Sequence, residues 1–192
     1  MTNIPVAIIA GGSSQRFGSP KGLARIENET IISIIIDSLG AQTTAPIVIN
    51  TAQDGPYSSL GLECVPDPEG ESHGPLSGLQ SVLLWANKHQ YSTVATVPVD
   101  VPFLPNTYLS ELNRSGAPSI SSSRGRLHYL CGIWGSELHG QLSEFLHSGK
   151  RAAKDWIKAC SANVTEFPNN TNGQDPFFNI NSRDDLNAIL NL

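Results

Sequence analysis

A glycine-containing loop with two cationic side chains lies near the N-terminus. Gly11 and Gly12 directly follow an apolar stretch, and Arg16 and Lys21 come shortly after them. Where no side chain blocks the approach, consecutive backbone N–H groups can line up on phosphate oxygens. Arginine adds a bidentate fork, and lysine adds a compact charge suited to a phosphate under attack. The loop therefore predicts a triphosphate clamp, with a glycine turn carrying two solvated cations as the alternative.

The glycine spacing excludes two common nucleotide motifs. Gly11, Gly12 and Gly18 do not fit the G-x-G-x-x-G pattern of dinucleotide-binding folds. The loop also lacks the P-loop pattern G-x-x-x-x-G-K-[ST]. A nucleotide site here must therefore belong to another class of phosphate-binding loop.

A single carboxylate follows a later apolar stretch. Asp100 lies between Pro98 and Pro102, and prolines favour an extended chain before them. Magnesium commonly takes one or two carboxylates together with substrate phosphates. We therefore expect Asp100 to face the phosphate loop and to hold Mg²⁺, with an aspartate that merely closes a turn as the alternative.

These residues must be positioned by alternating strands and helices. Short apolar runs predict strands at residues 5–10, 45–50, 62–66, 93–97, 117–121 and 129–134. Helical spacing predicts helices at 30–39, from 74 onward, at 106–113, and in two stretches around 138–146 and 153–160. Ser182-x-x-Asp185 resembles a capping box that opens a last helix, and residues 168–175 read as a loop.

The alternation predicts an α/β fold. We expect three α/β/α layers, Rossmann-like, with a mostly parallel sheet, helices on both faces and ligands at the carboxyl ends of the strands. A chain of 192 residues is long enough for one core, so residues 1–192 are expected to form a single domain.

Composition limits the partners. A formal net charge of -5 argues against bulk attraction to nucleic acid or to an anionic membrane. The three cysteines have no C-x-x-C spacing, which is typical of a reducing compartment. No segment is long enough to span a bilayer, and residues 1–9 are too short and uncharged for a secretory signal. We expect a cytoplasmic protein.

Several short motifs occur together in one order along the chain. They are Ala10-Gly-Gly…Arg16-x-Gly…Lys21, Asn50, Asp67, Gly74-Pro-Leu-Ser-Gly78, Val97-Pro-x-Asp100-x-Pro102 and Phe178-Asn-Ile-Asn181 before Asp184-Asp185-Leu186. In this order they resemble the molybdenum cofactor guanylyltransferases, over nearly the whole chain. The resemblance implies a fold like that of the nucleotide-diphospho-sugar transferases. It also implies transfer of GMP from GTP to Mo-molybdopterin, which gives molybdopterin guanine dinucleotide and pyrophosphate.

The resemblance also assigns residues. The GTP-binding set is Ile9, Ala10, Gly11, Gly12, Lys21, Asn50, Asp67, Gly74, Pro75, Leu76, Gly78 and Asp100. Lys21, Arg16 and Asp100 are implied as catalytic, with Mg²⁺ on Asp100. Arg16, Asn179 and Asn181 are implied on the molybdopterin side, and an alternating extended segment would put both amides on one face. For the two asparagines, capping of the following helix is the alternative.

The same resemblance divides the chain into a GTP-binding half, residues 1–104, and an acceptor half, residues 105–192. We expect a monomer that makes transient contacts with cofactor-biosynthesis or acceptor proteins, without nucleic acid or membrane.

Three positions depart from the family pattern. Phe17 replaces a common Met, Pro20 stands where Asp often precedes the lysine, and Tyr129 follows His128 where Pro is frequent. The role of His128 is therefore open. Cytidylyltransferases and sugar-phosphate nucleotidyltransferases of the same fold remain alternatives, although the glycines at residues 11–12 and 74–78 favour the guanine-specific branch. A GTP-binding module without catalysis is the alternative outside the enzymes.

Overall fold

The computed structural model describes residues 1–11, 20–67, 74–182 and 184–186. Its main strands are β1 (Val6–Ile9), β4 (Ile47–Asn50), β5 (Glu63–Cys64), β6 (Thr93–Pro98), β7 (Ser119–Ser123), β8 (Arg126–Gly135) and β9 (Asn163–Glu166). A separate ribbon pairs β2 (Arg25–Ile26) with β3 (Glu29–Thr30). The helices are α1 (Ile31–Gly40), α2 (Pro75–Lys88), α3 (Tyr108–Ser115), α4 (Leu138–His147) and α5 (Ala153–Ala159).

The main strands form one sheet of seven in the order β5-β4-β1-β6-β8-β7-β9. All neighbours pair in parallel except β8, which runs antiparallel to both β6 and β7. β1 is buried along its whole length between β4 and β6, as its unbroken apolar sequence predicts. The mostly parallel α/β sheet is therefore confirmed.

Helices cover both faces of the sheet. On one face, apolar side chains of α1 and α3 join alternate residues of β1, β4 and β6 in one core cluster. On the other face, α2, α4 and α5 pack in a second cluster against the intervening strand residues. The three-layer arrangement follows from the period of 2 in the strands, which sends successive side chains to opposite faces.

The helix boundaries follow the sequence signals. Thr30 caps α1 by accepting a hydrogen bond from the Ser33 N–H at 3.2 Å. α2 begins with Pro75 after Gly74, whose φ of 70° is readily adopted by glycine. The predicted capping box is confirmed as well, because Ser182 and Asp185 exchange reciprocal bonds: the Asp185 N–H donates to Ser182 Oγ, and the Ser182 N–H donates to Asp185 Oδ2.

Three features differ from the sequence predictions. The β2–β3 ribbon and the edge strand β9 were not predicted, and the Asn and Glu content of β9 is atypical of strands. The prediction that Asp100 lies in an extended segment is wrong. The Val101 N–H donates to the Pro98 carbonyl at 3.3 Å and closes a turn over Val99 and Asp100. The prolines restrict only themselves and the residues before them, so this pair remains free to turn.

Within the described part of the chain, no helix combines the length and apolar content needed to cross a bilayer.

Candidate active site

The sheet register brings several predicted residues to one edge. Ile9, the last residue of β1, pairs with Asn50 of β4 on one side and Pro98 of β6 on the other. The loop that follows β1 therefore starts between Asn50 and the turn that carries Asp100. Parallel sheets place their ligand sites at this carboxyl edge.

The first cavity at this edge, which we name the loop cavity, has a volume of about 340 Å³. It is lined by Ile9, Ala10, Gly11, Lys21, Asn50, Asp67, Gly74, Pro75, Gly78, Pro98, Val99, Asp100 and Leu130. Ten of the predicted nucleotide-binding residues are in this set. Leu76 differs, because its side chain is buried in the core under α2 and packs there. Gly12 and Arg16 lie outside the described residues.

Lys21 makes the central polar contacts. Its Nζ lies 3.1 Å from Asp100 Oδ2 and 3.0 Å from Asn181 Oδ1, so one ammonium group joins three segments of the chain. The side chains of Lys21 and Asp100 are 18% and 17% exposed, which leaves the pair accessible from the cavity. Partial desolvation makes the attraction within this pair stronger than it would be in bulk water.

The turn that carries Lys21 rests on a tyrosine that the sequence did not single out. Gly22 donates its backbone N–H to Tyr57 Oη at 3.1 Å. A Cβ at Gly22 would lie 2.6 Å from Val99 Cγ2 and 2.9 Å from Tyr57 Oη, so only glycine fits. Burial raises the pKa of Tyr57, which keeps its phenol neutral. Tyr57 thus positions Lys21, although nothing in its polar sequence surroundings marks it.

Asn50 organises the opposite wall of the loop cavity. Its Nδ2 donates to the Val65 carbonyl at 2.9 Å and to Asp67 Oδ1 at 2.7 Å. Ser81 Oγ donates to the same carboxylate oxygen at 3.2 Å. A Cβ at Gly78 would collide with Asn50 Oδ1, so glycine is required for this wall. Asn50 therefore fixes the direction of the Asp67 carboxylate, which lines the loop cavity.

Asp100 is the one predicted metal ligand, and its geometry fits that role. Its Oδ2 accepts from Lys21, whereas Oδ1 is buried with no hydrogen-bond partner among the described residues. A buried carboxylate oxygen without a partner is costly unless a ligand satisfies it. Within residues 1–11, 20–67, 74–182 and 184–186, no cluster of three or more His, Cys, Asp or Glu residues forms a metal cage. A divalent cation at Asp100 would thus need substrate oxygens to complete its coordination, as Mg²⁺ commonly does.

A second cavity of about 410 Å³, the acceptor cavity, adjoins the first. Pro75, Pro98 and Leu130 line both cavities and form their common border. Asn179 and Asn181 line the acceptor cavity, and both are exposed on either side of the buried Ile180. The Ile180 N–H donates to the Asp100 carbonyl at 2.9 Å, which ties this segment to the Asp100 turn. The predicted alternation of the two asparagines is confirmed.

An irregularity in β8 shapes the border. Ile120 of β7 pairs with Gly132, but the next residue, Ser121, pairs with His128. Tyr129, Leu130 and Cys131 therefore bulge out of the ladder, and all three line the acceptor cavity. Bulges next to functional sites redirect side chains in this way. The sequence predicted the strand but not this bulge.

His128 lies beside the bulge, in the wall of the acceptor cavity. Its Nε2 is 2.7 Å from Ser123 Oγ, and its ring stacks on Phe177 with centroids 4.7 Å apart. Burial lowers the pKa of His128. The ring is therefore neutral near pH 7.

Comparison with known proteins assigns this chain to a family. The profile of the MobA-like NTP transferase domain matches residues 6–164. A molybdenum cofactor guanylyltransferase of Rhizobium rhizogenes (strain K84) is 31% identical over 193 residues, covering 95% of this chain and 89% of that protein.

Solved structures share the fold. A molybdopterin-guanine dinucleotide biosynthesis protein A from Archaeoglobus fulgidus superposes with a TM-score of 0.74 at 18% identity, covering 98% of this chain and 97% of that chain. A manganese complex of a Mycobacterium tuberculosis protein superposes with a TM-score of 0.63 at 15% identity, covering 100% and 99%. The profile match spans most of the chain, and this chain therefore belongs to the family of MobA-like NTP transferases and is a nucleotidyltransferase.

Proposed function

We propose that the protein transfers GMP from GTP to Mo-molybdopterin, which yields molybdopterin guanine dinucleotide and pyrophosphate. One observation carries the proposal: Lys21 Nζ contacts Asp100 of the loop cavity and Asn181 of the acceptor cavity at the same time. A transferase that joins two phosphate-bearing substrates needs a cation at such a junction, because both reactants are anionic. The relative named as a molybdenum cofactor guanylyltransferase supports the choice of substrates.

GTP is assigned to the loop cavity. Its phosphates would lie against the backbone of Ala10 and Gly11, and the family resemblance adds Gly12. Residues at the N-terminus of α2 line the same cavity. The Asn50 and Asp67 pair is assigned to the base and ribose. The absence of side chains at Gly74 and Gly78 lets the nucleotide approach the backbone closely.

Mo-molybdopterin is assigned to the acceptor cavity. Asn179 and Asn181 present amide groups there, and Arg16 is proposed to complete this side of the site by the family resemblance. The terminal phosphate of the acceptor would then reach the α-phosphorus of GTP across the border at Pro98 and Leu130.

The chain's own residues position the two substrates and neutralise their charge. A phosphate nucleophile is already ionised at neutral pH, so no general base is needed. Lys21 can leave Asp100 Oδ2 for the triphosphate, since both partners are accessible. Asp100 is proposed to hold Mg²⁺, which when bound would neutralise charge on the phosphate oxygens. Alignment and electrostatics then supply the rate, as in phosphoryl transfers generally.

The test is to incubate the protein with Mg²⁺, Mo-molybdopterin and each of GTP, CTP, UTP and ATP, and to detect the dinucleotide by mass. We expect a guanine product and stoichiometric pyrophosphate with GTP. A product formed with CTP but not with GTP would instead assign a cytidylyltransferase. No dinucleotide with any of the four nucleotides would reject the proposed acceptor.

Asp100→Ala provides the internal control for that experiment. We expect it to abolish pyrophosphate release while some GTP binding remains, because the metal ligand is lost but the loop is not. Asp37→Ala, at an exposed aspartate of α1, is the matched variant and should react like the wild type. Unchanged turnover in Asp100→Ala would remove Asp100 from the mechanism.

A further inference from the structure

Three side chains form a directed hydrogen-bond chain at the acceptor cavity. Ser123 Oγ donates to Asp175 Oδ1 at 2.7 Å, because an ionised carboxylate can only accept. Ser123 Oγ also lies 2.7 Å from His128 Nε2. The hydroxyl has one hydrogen, already used on Asp175, so Nε2 must carry the proton and donate. A neutral His128 ring therefore has its free lone pair on Nδ1.

The ring is also fixed in its plane. His128 stacks on the buried Phe177 at an angle of 26°, with ring centroids 4.7 Å apart. The Phe177 N–H donates to Asp175 Oδ1 at 2.9 Å, which couples the stacking partner to the same carboxylate. Both the rotamer and the tautomer are thus set before any ligand binds, and this reduces the entropic cost of using the ring in recognition.

Nδ1 is the ring nitrogen that remains for a ligand. None of the described residues hydrogen-bonds to His128 Nδ1. His128 itself lines the acceptor cavity. Burial lowers the pKa of the ring, Arg126 adds to the shift, and Asp175 and Glu166 oppose it. A neutral ring offers an acceptor, which attracts N–H groups and repels phosphate oxygens.

The rest of the wall suits a flat heterocycle. Leu130, Pro98 and Phe178 supply apolar surface, and Asn179 adds an amide beside it. Pockets of this composition bind ring systems through a few directed polar groups.

We propose that His128 is a substrate-binding residue whose Nδ1 accepts a hydrogen bond from an N–H group of a reduced pterin, with Ser123 and Asp175 as its positioning residues. The inference rests on the proposed function, since it names the group that recognises the acceptor's ring.

The first test uses tetrahydropterin, a reduced pterin without phosphate, and the full chain labelled with ¹⁵N at histidine. Nuclear magnetic resonance should show His128 as the Nε2–H tautomer in the free protein. Tetrahydropterin should shift the Nδ1 resonance, and inorganic phosphate should not. A ring protonated on Nδ1 at neutral pH, no shift with tetrahydropterin, or a shift with phosphate alone would overturn the proposal.

Variants separate recognition from stability. His128→Phe keeps a ring on Phe177 but removes the acceptor, and should weaken tetrahydropterin binding about tenfold, the value of one good hydrogen bond. Ser123→Ala removes the hydrogen bond that selects the Nε2–H tautomer, and should also weaken tetrahydropterin binding. Ser122→Ala is the matched control, because Ser122 hydrogen-bonds to Glu166 and Thr165 instead. GTP affinity should be unchanged in all three, and equal tetrahydropterin affinity in His128→Phe and wild type would reject the role.

Two outcomes separate the role of His128 from the proposed reaction. If the wild type makes the dinucleotide but His128→Phe keeps its affinity for tetrahydropterin and its KM for Mo-molybdopterin, only the role of His128 fails. If tetrahydropterin binds through Nδ1 but no dinucleotide forms, the proposed reaction fails and pterin recognition stands.

Discussion

The ammonium group of Lys21 is already paired with polar groups of the protein. Its ammonium group lies between the Asp100 carboxylate and the Asn181 amide, so a bound triphosphate must compete with these partners. The electrostatic attraction between the ammonium group and a phosphate increases as that phosphate acquires negative charge during the reaction. Its attraction to the Asp100 carboxylate stays the same, because that charge is fixed. This difference is what lets a charged group favour the transition state over the ground state.

Lys21→Ala should therefore reduce kcat/KM for GTP by about 10²–10³-fold, the usual effect of removing one group that stabilises developing charge. Pyrophosphate release over a range of GTP concentrations measures this. Lys154→Ala, at an exposed position of α5, is the control and should behave like the wild type. An unaltered GTP affinity and rate in Lys21→Ala would contradict the clamp.

His128 gives the stability of the protein a pH dependence of predictable sign. Its folded-state pKa is lowered from 6.5, chiefly by burial. Between the two pKa values the unfolded chain binds the proton more readily, so the contribution of His128 to stability is present above about 6.5 and lost as pH falls below it. On going from pH 7.5 to pH 5, we expect the melting temperature of the wild type to fall more than that of His128→Phe. A difference that is constant over this range would contradict the direction of the shift.

At the scale of elements, α2 shows a conflict between local preference and packing. Gly78 lies within the helix, where alanine is normally better by about 1 kcal/mol. A Cβ at this position would collide with Asn50 Oδ1. Packing overrides propensity here, because Asn50 is held by its own bonds to Val65 and Asp67 and cannot yield.

Gly78→Ala should accordingly destabilise the fold by about 1–3 kcal/mol, the range for overpacked sites. Gly140→Ala is the matched control, since Gly140 lies within α4 and has open space around its Cα. It should stabilise the protein by about 0.5–1 kcal/mol. Urea unfolding of both variants measures the effect. Equal responses at the two glycines would show that the Asn50 wall tolerates a methyl group.

The elements were predictable where the sequence pattern itself decides them. The apolar run of β1 and the Thr30 cap of α1 have local causes that can be read from the sequence. β9 could not be predicted, because its pairing with β7 depends on the partner and not on its polar sequence. Tyr57 was missed for a similar reason, since its importance lies in one backbone contact with Gly22.

At the scale of the molecule, the order of strands brings together residues that motif spacing alone does not relate. Lys21, Asp100 and Asn181 are far apart in sequence, and the sheet topology brings them within hydrogen-bond distance. Residue type and spacing singled out Lys21 and Asp100, and the family resemblance added Asn181. Leu130, one of the three residues at the common border of the two cavities, lies in the β8 bulge, which depends on tertiary pairing and leaves no sequence signal.

The common border should couple the loop cavity to the acceptor cavity. Leu130 is half-buried and lines both cavities, so Leu130→Phe should crowd both sites. In the proposed reaction the two phosphates approach each other across this border. We therefore expect kcat to fall at least tenfold, since misplacement by about 1 Å can cost about 10²-fold. The KM values for GTP and for Mo-molybdopterin should rise together. Leu84→Phe is the control, because the 39% exposed Leu84 of α2 is not among the residues that line either cavity. Steady-state kinetics on both variants measures the effect. If Leu130→Phe raised only one KM and left kcat intact, the cavities would be independent sites and the phosphates would have to meet elsewhere.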